Sequence, residues 1–308
     1  MKLFAKSGIA IAAAILATSA LADVGFNANI ETNTTKASEK KLDSGGRVEV
    51  NANAALVKNG DNFVNAKGTV EIPLNGDKVG IADAWIQLGN STVDLKYGRF
   101  EGADLFPLGK DVVVESAGGA SGYRANTLRG RFTTGQAHAS VGLNAAPGLR
   151  IELGLVSEKD SDTSNADAAQ HTHFKHGVRP TLVYTAGALT LRAGVESISS
   201  SNAAAESQTG AGLSVGYALN SSTNINLNAA SNSDSDASSL GLNVTAGQFG
   251  VGLLQDKSGD AKQSTVYAAY SMSLLGVKGA TITPAVSHSK ADGLDSVTAV
   301  RVRMNYAF

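Results

Sequence analysis

The chain has 308 residues, no cysteine and a formal net charge of −1, from 26 basic and 27 acidic residues. This balance argues against nucleic-acid binding, and the lack of cysteine excludes disulfides, thiolate metal sites and cysteine nucleophiles. Mean hydropathy lies near zero, which is compatible with membrane strands because such strands alternate apolar and polar residues.

The first 22 residues have the three parts of a secretory signal peptide. Residues 1–6 form a short basic segment, residues 9–16 are apolar, and Ala20-Leu21-Ala22 fits a small-x-small cleavage pattern. The apolar run is too short to span a bilayer as a helix. We expect cleavage after residue 22 and export from the cytoplasm. The mature domain is then residues 23–308, with 308 − 22 = 286 residues and a formal charge of 24 − 27 = −3 after loss of two lysines.

Most of the remaining chain alternates apolar and polar residues with a period of two, which predicts β-strands with two different faces. The clearest examples are residues 47–56, 149–155, 189–196, 213–219, 224–228, 240–245 and 300–308. The polar positions hold Asn, Thr, Ser, Gly, Arg and Glu, whereas the apolar positions carry almost no charge. The last segment ends on the aromatic Phe308, which is typical of a strand with one face in lipid and the other in a water-filled lumen. These features favour an all-β transmembrane antiparallel barrel over a soluble β-sandwich or β-solenoid.

Short and long connections alternate along the chain, as in bacterial barrels with periplasmic turns and external loops. Short turns fall at residues 89–91, 220–222 and 247–248, and long polar connections at residues 34–45, 158–176, 199–208, 231–237 and 256–262. Our strand boundaries give 17 strands, but a barrel that begins and ends in the periplasm needs an even number. The error lies between Arg99 and Glu158: either residues 112–115 are an overlooked strand or residues 137–144 are divided wrongly. We expect 16 strands, with 14 as the alternative.

Residues 98–111 are the least barrel-like segment of the sequence. They combine Leu105, Phe106 and other apolar residues with charges, glycines and a proline. A surface loop does not normally carry so many apolar side chains, whereas a loop folded into a barrel packs them on the inner wall. We therefore predict an inward-folded constriction loop whose carboxylates reach the water of the lumen.

Charged residues of this loop and of the strands near it should line the constriction. Alternation after residue 123 predicts that Arg129 and Arg131 face the lumen and that Leu128, Gly130 and Phe132 face lipid. Carboxylates opposite guanidiniums would set a transverse field that favours water and polar solutes; the alternative is that these charges pair only to fix the loop. The predicted pore-lining residues are Arg99, Glu101, Asp104, Lys110, Asp111, Arg129, Arg131 and Arg150.

Trp85, the only tryptophan of the chain, shares the polar face of its strand with Asp83 and Gln87. An indole ring stacks well on the apolar face of a pyranose, and neighbouring polar groups can bond its hydroxyls. We predict Trp85, Asp83, Gln87 and Phe106 as solute contacts; the alternative is that Trp85 packs on the loop around Phe106. Aromatic residues make up only 6% of the chain and form no ladder, which argues against tight, stepwise sugar binding.

Several stretches resemble Gram-negative outer-membrane carbohydrate porins, the channels for oligosaccharides of the cyclodextrin-uptake type. They are Ala-Asp-Ala-Trp-Ile-Gln-Leu-Gly-Asn at residues 82–90, Leu-Lys-Tyr-Gly-Arg-Phe-Glu at 95–101, Asp-Leu-Phe-Pro-Leu-Gly-Lys-Asp at 104–111, Tyr-Arg-Ala-Asn at 123–126 and Arg-Gly-Arg at 129–131. The signal, strand pattern and final residue match over the whole chain, and the specific motifs cover about residues 80–131. The resemblance implies a diffusion channel in the outer membrane for small hydrophilic solutes, with oligosaccharides favoured.

No sequence motif points to an enzyme. There is no nucleophile elbow, phosphate-binding loop or zinc-protease helix. His171, His173 and His176 cluster in a predicted external loop, where a solvated role is favoured over weak binding of a transition metal. We therefore expect no catalytic residue, no cofactor and no bound metal.

The expected partners follow from the channel hypothesis. They are outer-membrane lipid and lipopolysaccharide, the barrel-assembly machinery through Phe308, and small hydrophilic solutes or oligosaccharides. Nucleic acid is not expected as a partner, and the sequence leaves open whether the protein forms a homo-oligomer. The alternative functions are a general anion-preferring porin and a non-conducting structural or adhesive barrel. Weak anion preference is expected because seven basic residues fall on polar strand faces: Lys96, Arg129, Arg131, Arg150, Arg192, Arg301 and Arg303.

Overall fold

The computed structural model describes residues 23–38, 40–110, 120, 122–131, 136–158, 174–200 and 207–308. The predicted signal peptide and its cleavage site lie outside these residues. So do Asp111, the candidate strand at residues 112–115, Phe132, His171 and His173.

Every regular element of the described chain is a β-strand. The strands are β1 (Asp23–Ala37), β2 (Asp43–Asn59), β3 (Asn62–Pro73), β4 (Gly80–Gly89), β5 (Val93–Arg99), β6 (Gln136–Ala146), β7 (Leu149–Glu158), β8 (Phe174–Ala186), β9 (Leu189–Ser200), β10 (Gln208–Asn220), β11 (Thr223–Asn232), β12 (Ala237–Ala246), β13 (Phe249–Ser258), β14 (Ala261–Tyr270), β15 (Met272–Ser273), β16 (Ala280–Ala291) and β17 (Val297–Ala307). Within the described ranges, no helix is long and apolar enough to cross a membrane.

The strands form one closed antiparallel sheet. Each strand pairs with the next along the chain, and β1 pairs with both β2 and β17, from Asn29 opposite Ala307 to Ala37 opposite Ala299. The two-residue β15 continues β14 after a break at Ser271, and both segments pair with β16. The barrel therefore has 16 strands, and within the described residues each strand has a paired neighbour on both sides, so closure leaves no sheet edge there.

The structure tests one of the two explanations for the count of 17. Residues 137–144 lie within the single strand β6, so they are not divided wrongly. Residues 122–131, whose alternation imitates a strand, contain only an isolated bridge from Gly130 to Glu101. They belong to the connection between β5 and β6, and the prediction that Leu128 faces lipid is wrong.

Connections of different length separate the two rims of the barrel. The tight turns, at residues 60–61, 90–92, 147–148, 187–188, 221–222 and 247–248, share one rim with the two ends of the described chain. The opposite rim carries the connections after β1, β3, β5, β7, β9, β11, β13 and β16. This division agrees in part with the predicted alternation of periplasmic turns and external loops. The predicted long connection at residues 256–262 is instead a two-residue turn at residues 259–260, and the rim with the tight turns also carries the six-residue connection 274–279.

The outer surface of the wall is an apolar belt. Along β17, Val300, Val302, Met304 and Tyr306 are exposed, and comparable rows of exposed leucine and valine lie on the other strands. The intervening positions, such as Arg301 and Arg303, face inward and bond to Thr35 and Asn33 of β1. An apolar exterior around a polar interior is the arrangement of a transmembrane barrel.

Candidate channel constriction

The connection between β5 and β6 folds into the barrel and follows its inner wall. Its outgoing part, residues 100–110, runs from β5 to β14, where the Tyr267 hydroxyl donates a hydrogen bond to the Leu108 carbonyl at 2.6 Å. Its returning part, residues 122–131, runs back from β13, where Arg124 lies 3.5 Å from Asp256, to β4. We call these two parts the constriction loop. The predicted inward fold is therefore present.

Six lumen-facing glycines on five strands make room for the loop. A Cβ atom at any of them would lie between 2.0 and 2.8 Å from a loop side chain, closer than real Cβ contacts. The glycines are Gly177 on β8, Gly194 on β9, Gly210 and Gly212 on β10, Gly241 on β12 and Gly250 on β13. A wall of larger residues would hold the loop further into the lumen.

An apolar core forms between the loop and the wall. Leu105, Phe106 and Ala125 are at most 2% exposed and pack with Leu254 and Tyr267 of the wall. Burial of this kind stabilises the docked loop by about 25 cal/mol per Å² of apolar surface. Phe106 is therefore covered by the wall, and its predicted contact with solute does not fit this position.

A second apolar contact explains why the alternation failed in the returning part. Leu128 is 1% exposed and packs on Val156 of β7 and Ile198 of β9. Both wall residues face the lumen, so Leu128 points at the inner surface of the barrel. A loop that lies on a wall has no lipid face, and period-two reasoning does not apply to it.

A buried ion pair of the wall holds both parts of the loop. Glu196 of β9 lies 3.7 Å from Arg179 of β8, and the two side chains are 1% and 2% exposed. The Glu196 carboxylate accepts hydrogen bonds from the Tyr123 hydroxyl and from the backbone N–H groups of residues 127 and 128. Arg179 donates to the carbonyls of Ala103 and Ala125. Each charge is thus satisfied by the loop as well as by its partner, which is what a buried pair requires.

Asparagine side chains fix the far end of the outgoing part. Asn228 of β11 and Asn243 of β12 both donate to the Pro107 carbonyl, at 2.8 and 2.7 Å. Lys110 then reaches the Gln248 carbonyl at 3.1 Å. Lys110 was predicted to line the constriction, and it lies at the β13 side of the barrel, far along the wall from Arg129 and Arg131.

The charges near the start of the loop form one continuous network with the wall of β3 and β4. Arg129 lies 3.3 Å from Glu101 and 3.9 Å from Asp104, and Arg131 lies 3.2 Å from Asp83 and 3.9 Å from Glu101. These acidic and basic groups are neighbours. The predicted arrangement, with loop carboxylates facing Arg129 and Arg131 across the lumen, is therefore not the one observed.

Asp83 sits at the centre of this network. It is buried and also accepts a hydrogen bond from Lys67 of β3 at 2.8 Å. Burial lowers the pKa of Arg131, but the carboxylates of Asp83 and Glu101 outweigh burial and raise it. Arg131 therefore stays charged, and Asp83 is committed to ion pairs rather than free to bond a solute.

Arg150 and Gln87 lie away from the loop, toward the rim with tight turns. Arg150 binds Asp94 of β5 with both terminal nitrogens, at 2.8 and 3.1 Å, and Gln87 donates to the same carboxylate at 2.8 Å. Arg99, at the end of β5, donates to the Ala82 carbonyl at 2.9 Å. Arg150 faces the lumen as predicted, but it does not oppose the loop carboxylates.

Trp85 faces the lumen beside the start of the loop. The ammonium group of Lys96 lies 4.0 Å from the centre of the indole ring and 4.6 Å from the Phe100 ring. Phe100 in turn stacks on His138 at 3.9 Å. Trp85 is partly exposed and packs under Lys96, so the alternative contact with Phe106 is not found. Sequence reasoning missed Lys96 as a partner because it lies on the neighbouring strand.

The ionisable groups inside the loop suit a fixed structure rather than acid–base chemistry. Burial, together with the hydrogen bond to Glu196, raises the pKa of the Tyr123 hydroxyl well above its ordinary range, so Tyr123 remains a neutral donor. Among the residues that the structure describes, no three metal-binding side chains converge. The arrangement fixes a polar, charged constriction.

Comparisons with known proteins identify the fold. No family model and no curated protein matches the chain. A mutant of Rh. blastica porin superposes with a TM-score of 0.63 at 13% identity, over 93% of this chain and 100% of the porin. A triple mutant of Rhodopseudomonas blastica porin superposes with a TM-score of 0.62 at 14% sequence identity, again over 93% of this chain and 100% of the porin. A structure described as "Asymmetric conductivity of engineered proteins" superposes with a TM-score of 0.61 at 14% sequence identity. The match covers 92% of this chain and 100% of that chain. The chain therefore has a porin-like fold, a closed 16-stranded transmembrane barrel with a loop inside its lumen.

Proposed function

We propose that the protein is a porin that forms a water-filled channel for passive diffusion of small hydrophilic solutes across the outer membrane of a Gram-negative bacterium. The supporting observation is the uneven covering of the lumen. The constriction loop lies on the wall of β7–β14, whereas charged side chains on the side of β1–β4 and at the loop's start stay partly exposed. Arg47 is 42% and Arg131 37% exposed in their side chains. Charged groups of this exposure indicate an aqueous path beside the loop.

Conductance decides between this channel and a non-conducting structural barrel. Purified, refolded protein added to a planar lipid bilayer should give stepwise increases of current. Heat-sensitive electrophoretic mobility should show that the same sample is folded. Folded protein that inserts into liposomes without any conductance would contradict the channel.

Oligosaccharides are the solute class that we favour, and Trp85 is the group that supports it. Asp83 and Gln87 are held by Lys67, Arg131 and Asp94, so the partly exposed indole is the best remaining platform for a sugar ring. Liposome swelling with sugars of graded size should show entry of disaccharides and a size limit above them. Trp85→Ala should change the relative rates for sugars more than those for glycerol. Equal changes for both would remove the sugar preference from the proposal.

We also propose weak preference for anions. Arg129 and Arg131 project from the loop into the aqueous side, and lumen charges are felt most at low salt, where the screening length exceeds about 10 Å. Reversal potentials in a salt gradient should favour anions, and Arg129→Ala with Arg131→Ala should reduce the preference. Lys257→Ala is a control, because Lys257 pairs with Asp236 outside the lumen. Cation preference in the wild type would contradict this part.

A further inference from the structure

Four lysines lie close together on the outer surface of the barrel, at the rim that carries the connections after β1, β13 and β16. Each is the second residue from the end of its strand at that rim. They are Lys257 of β13, Lys262 of β14, Lys290 of β16 and Lys36 of β1, and we call them the lysine band. The same position holds Thr209, Ser231 and Ser238 on β10, β11 and β12, so the basic charge ends at β13 on that side.

Strand alternation places the lysine band on the face that meets lipid. Lys262 precedes Gln263, which is buried on the lumen side. Lys290 follows Ser289, which is buried in the same way. The side chain of Lys257 is 42% exposed, and the other three lysines are exposed. The ammonium groups are therefore accessible from outside the barrel and not from the lumen.

Sheet register brings the lysines together along the rim. Lys257 lies directly opposite Lys262, and Lys290 lies opposite Ser264, two residues from Lys262 on the same face. Lys36 is on β1, two strands beyond β16. Four strand spacings make the band about 19 Å wide. Like charges in direct register destabilise a sheet, so this face calls for an anionic partner with more than one charged group.

Carboxylates of the protein neutralise little of this charge. Lys257 pairs with Asp236 at 3.1 Å. Lys36 and Lys290 donate to backbone carbonyls, which carry no net charge. Within the part of the chain that the structure describes, the Lys262 ammonium has neither an ion pair nor a hydrogen bond. The remaining acidic residues nearby lie in the connections beyond the strand ends, at Asp260, Asp292 and Asp295.

The outer surface changes in character from the lysine band toward the middle of the membrane. Gln255 and Ser264 come first, two residues below the lysines of β13 and β14, and they bond to each other at 2.9 Å. Leu253 and Val266 follow and are exposed. Ammonium groups, neutral polar groups and an apolar belt succeed one another in depth. A membrane lipid has the same order, from charged headgroup through a polar linking region to acyl chains.

We propose that the lysine band binds the phosphorylated headgroup of lipid A in lipopolysaccharide, with the acyl chains on the apolar belt below. Ammonium groups bind phosphate well. A headgroup with two separated phosphates reaches more of the band than a lipid with a single phosphate. This site rests on the proposed function for its location in the outer membrane, but not on conduction, because the band lies outside the lumen.

The probe is lipid A with both phosphates, compared with monophosphoryl lipid A and phosphatidylglycerol. Native mass spectrometry of the refolded barrel in detergent counts bound lipids and gives their dissociation constants. Lipid A should bind more tightly than either comparison. Lys262→Gln with Lys290→Gln should raise its dissociation constant about thirtyfold, from about fivefold for each lysine. The matched control is Lys58→Gln with Lys278→Gln, which removes two exposed charges at the opposite rim and should leave the constant within about twofold.

Several outcomes would overturn the lysine band as a lipid A site. They are equal weakening in the two double variants, equal affinity for lipid A and either comparison lipid, and displacement of lipid A by inorganic phosphate alone. If the double variant does not fold, Lys262→Gln and Lys290→Gln are tested separately, and unchanged affinity in both would refute the proposal.

Conductance separates this site from the channel. The double variant should conduct like the wild type in a planar bilayer, because its substitutions lie outside the lumen; an altered conductance would overturn the exterior position of the band. A wild-type barrel that binds lipid A but does not conduct would overturn the channel and keep the lipid site.

Discussion

Replacing Glu196 tests how the constriction loop is held. Glu196→Gln keeps the size of the side chain but removes the negative charge of a carboxylate that lies 3.7 Å from Arg179. In the wild type, this carboxylate accepts three hydrogen bonds from the loop. Breaking a buried ion pair from one side costs about 3–5 kcal/mol, because the remaining charge is left uncompensated. Since the loop supplies the other partners, we expect this cost to fall mainly on loop docking. The ratio of undocked to docked loop should then rise by roughly two to four orders of magnitude.

Trypsin sensitivity and current noise report this change. Undocked loop should be cleaved after its basic residues, and the open channel should show larger, noisier current steps. Glu49→Gln is the matched control, because Glu49 is 21% exposed and lies 3.8 Å from Arg47 on the wall away from the loop; its pair contributes about 0–1 kcal/mol. Electrophoretic mobility should show an intact barrel in both variants. Trypsin resistance and conductance equal to wild type in folded Glu196→Gln would refute the anchoring role.

Three further perturbations follow from the same structure. Gly241→Val would place side-chain atoms against the Phe106 ring, because a Cβ atom alone would already approach this ring to 2.8 Å. The free energy of loop docking should become less favourable by about 1–3 kcal/mol. Wild-type conductance and wild-type trypsin resistance in this variant would contradict the close fit. Deletion of residues 102–109 should raise conductance and the solute size limit if the barrel folds, and unchanged values in folded protein would show that the loop does not narrow the pore. Val302→Arg introduces a charge on the lipid face at the middle of β17 and should lower the free energy of unfolding in lipid by about 2–4 kcal/mol. Urea titration measures this change, with Val302→Ala as the control. Equal stability of the two variants would mean that this face does not contact the membrane.

The barrel could be predicted from the sequence because its determinants are local. Each strand alternates between a lipid side and a lumen side, and the alternation of β17 from Val300 to Tyr306 appears in the structure residue by residue. The failure at Leu128 has a physical cause. A loop lying on the inner wall also has two unlike sides, so it can imitate a strand over a few residues without pairing as one.

The constriction was only partly predictable because its contacts join distant parts of the chain. The apolar residues of the loop indicated that it folds inward, but not which strands receive it. The surface that receives the loop contains glycines such as Gly194, Gly212 and Gly241. In the sequence these glycines look like ordinary residues of a polar strand face, so they do not indicate a docking surface.

The path of the constriction loop sets an order of assembly. The loop follows β5, yet it docks on strands that come much later in the chain: the bond from Tyr267 to Leu108 spans 159 residues, and that from Lys110 to Gln248 spans 138. Contacts between such distant residues close large loops and therefore form late. The barrel must bring β14 into place before the outgoing part is complete. The outgoing part has no complete docking surface until these later strands are paired, so narrowing of the lumen depends on assembly of the wall that receives the loop.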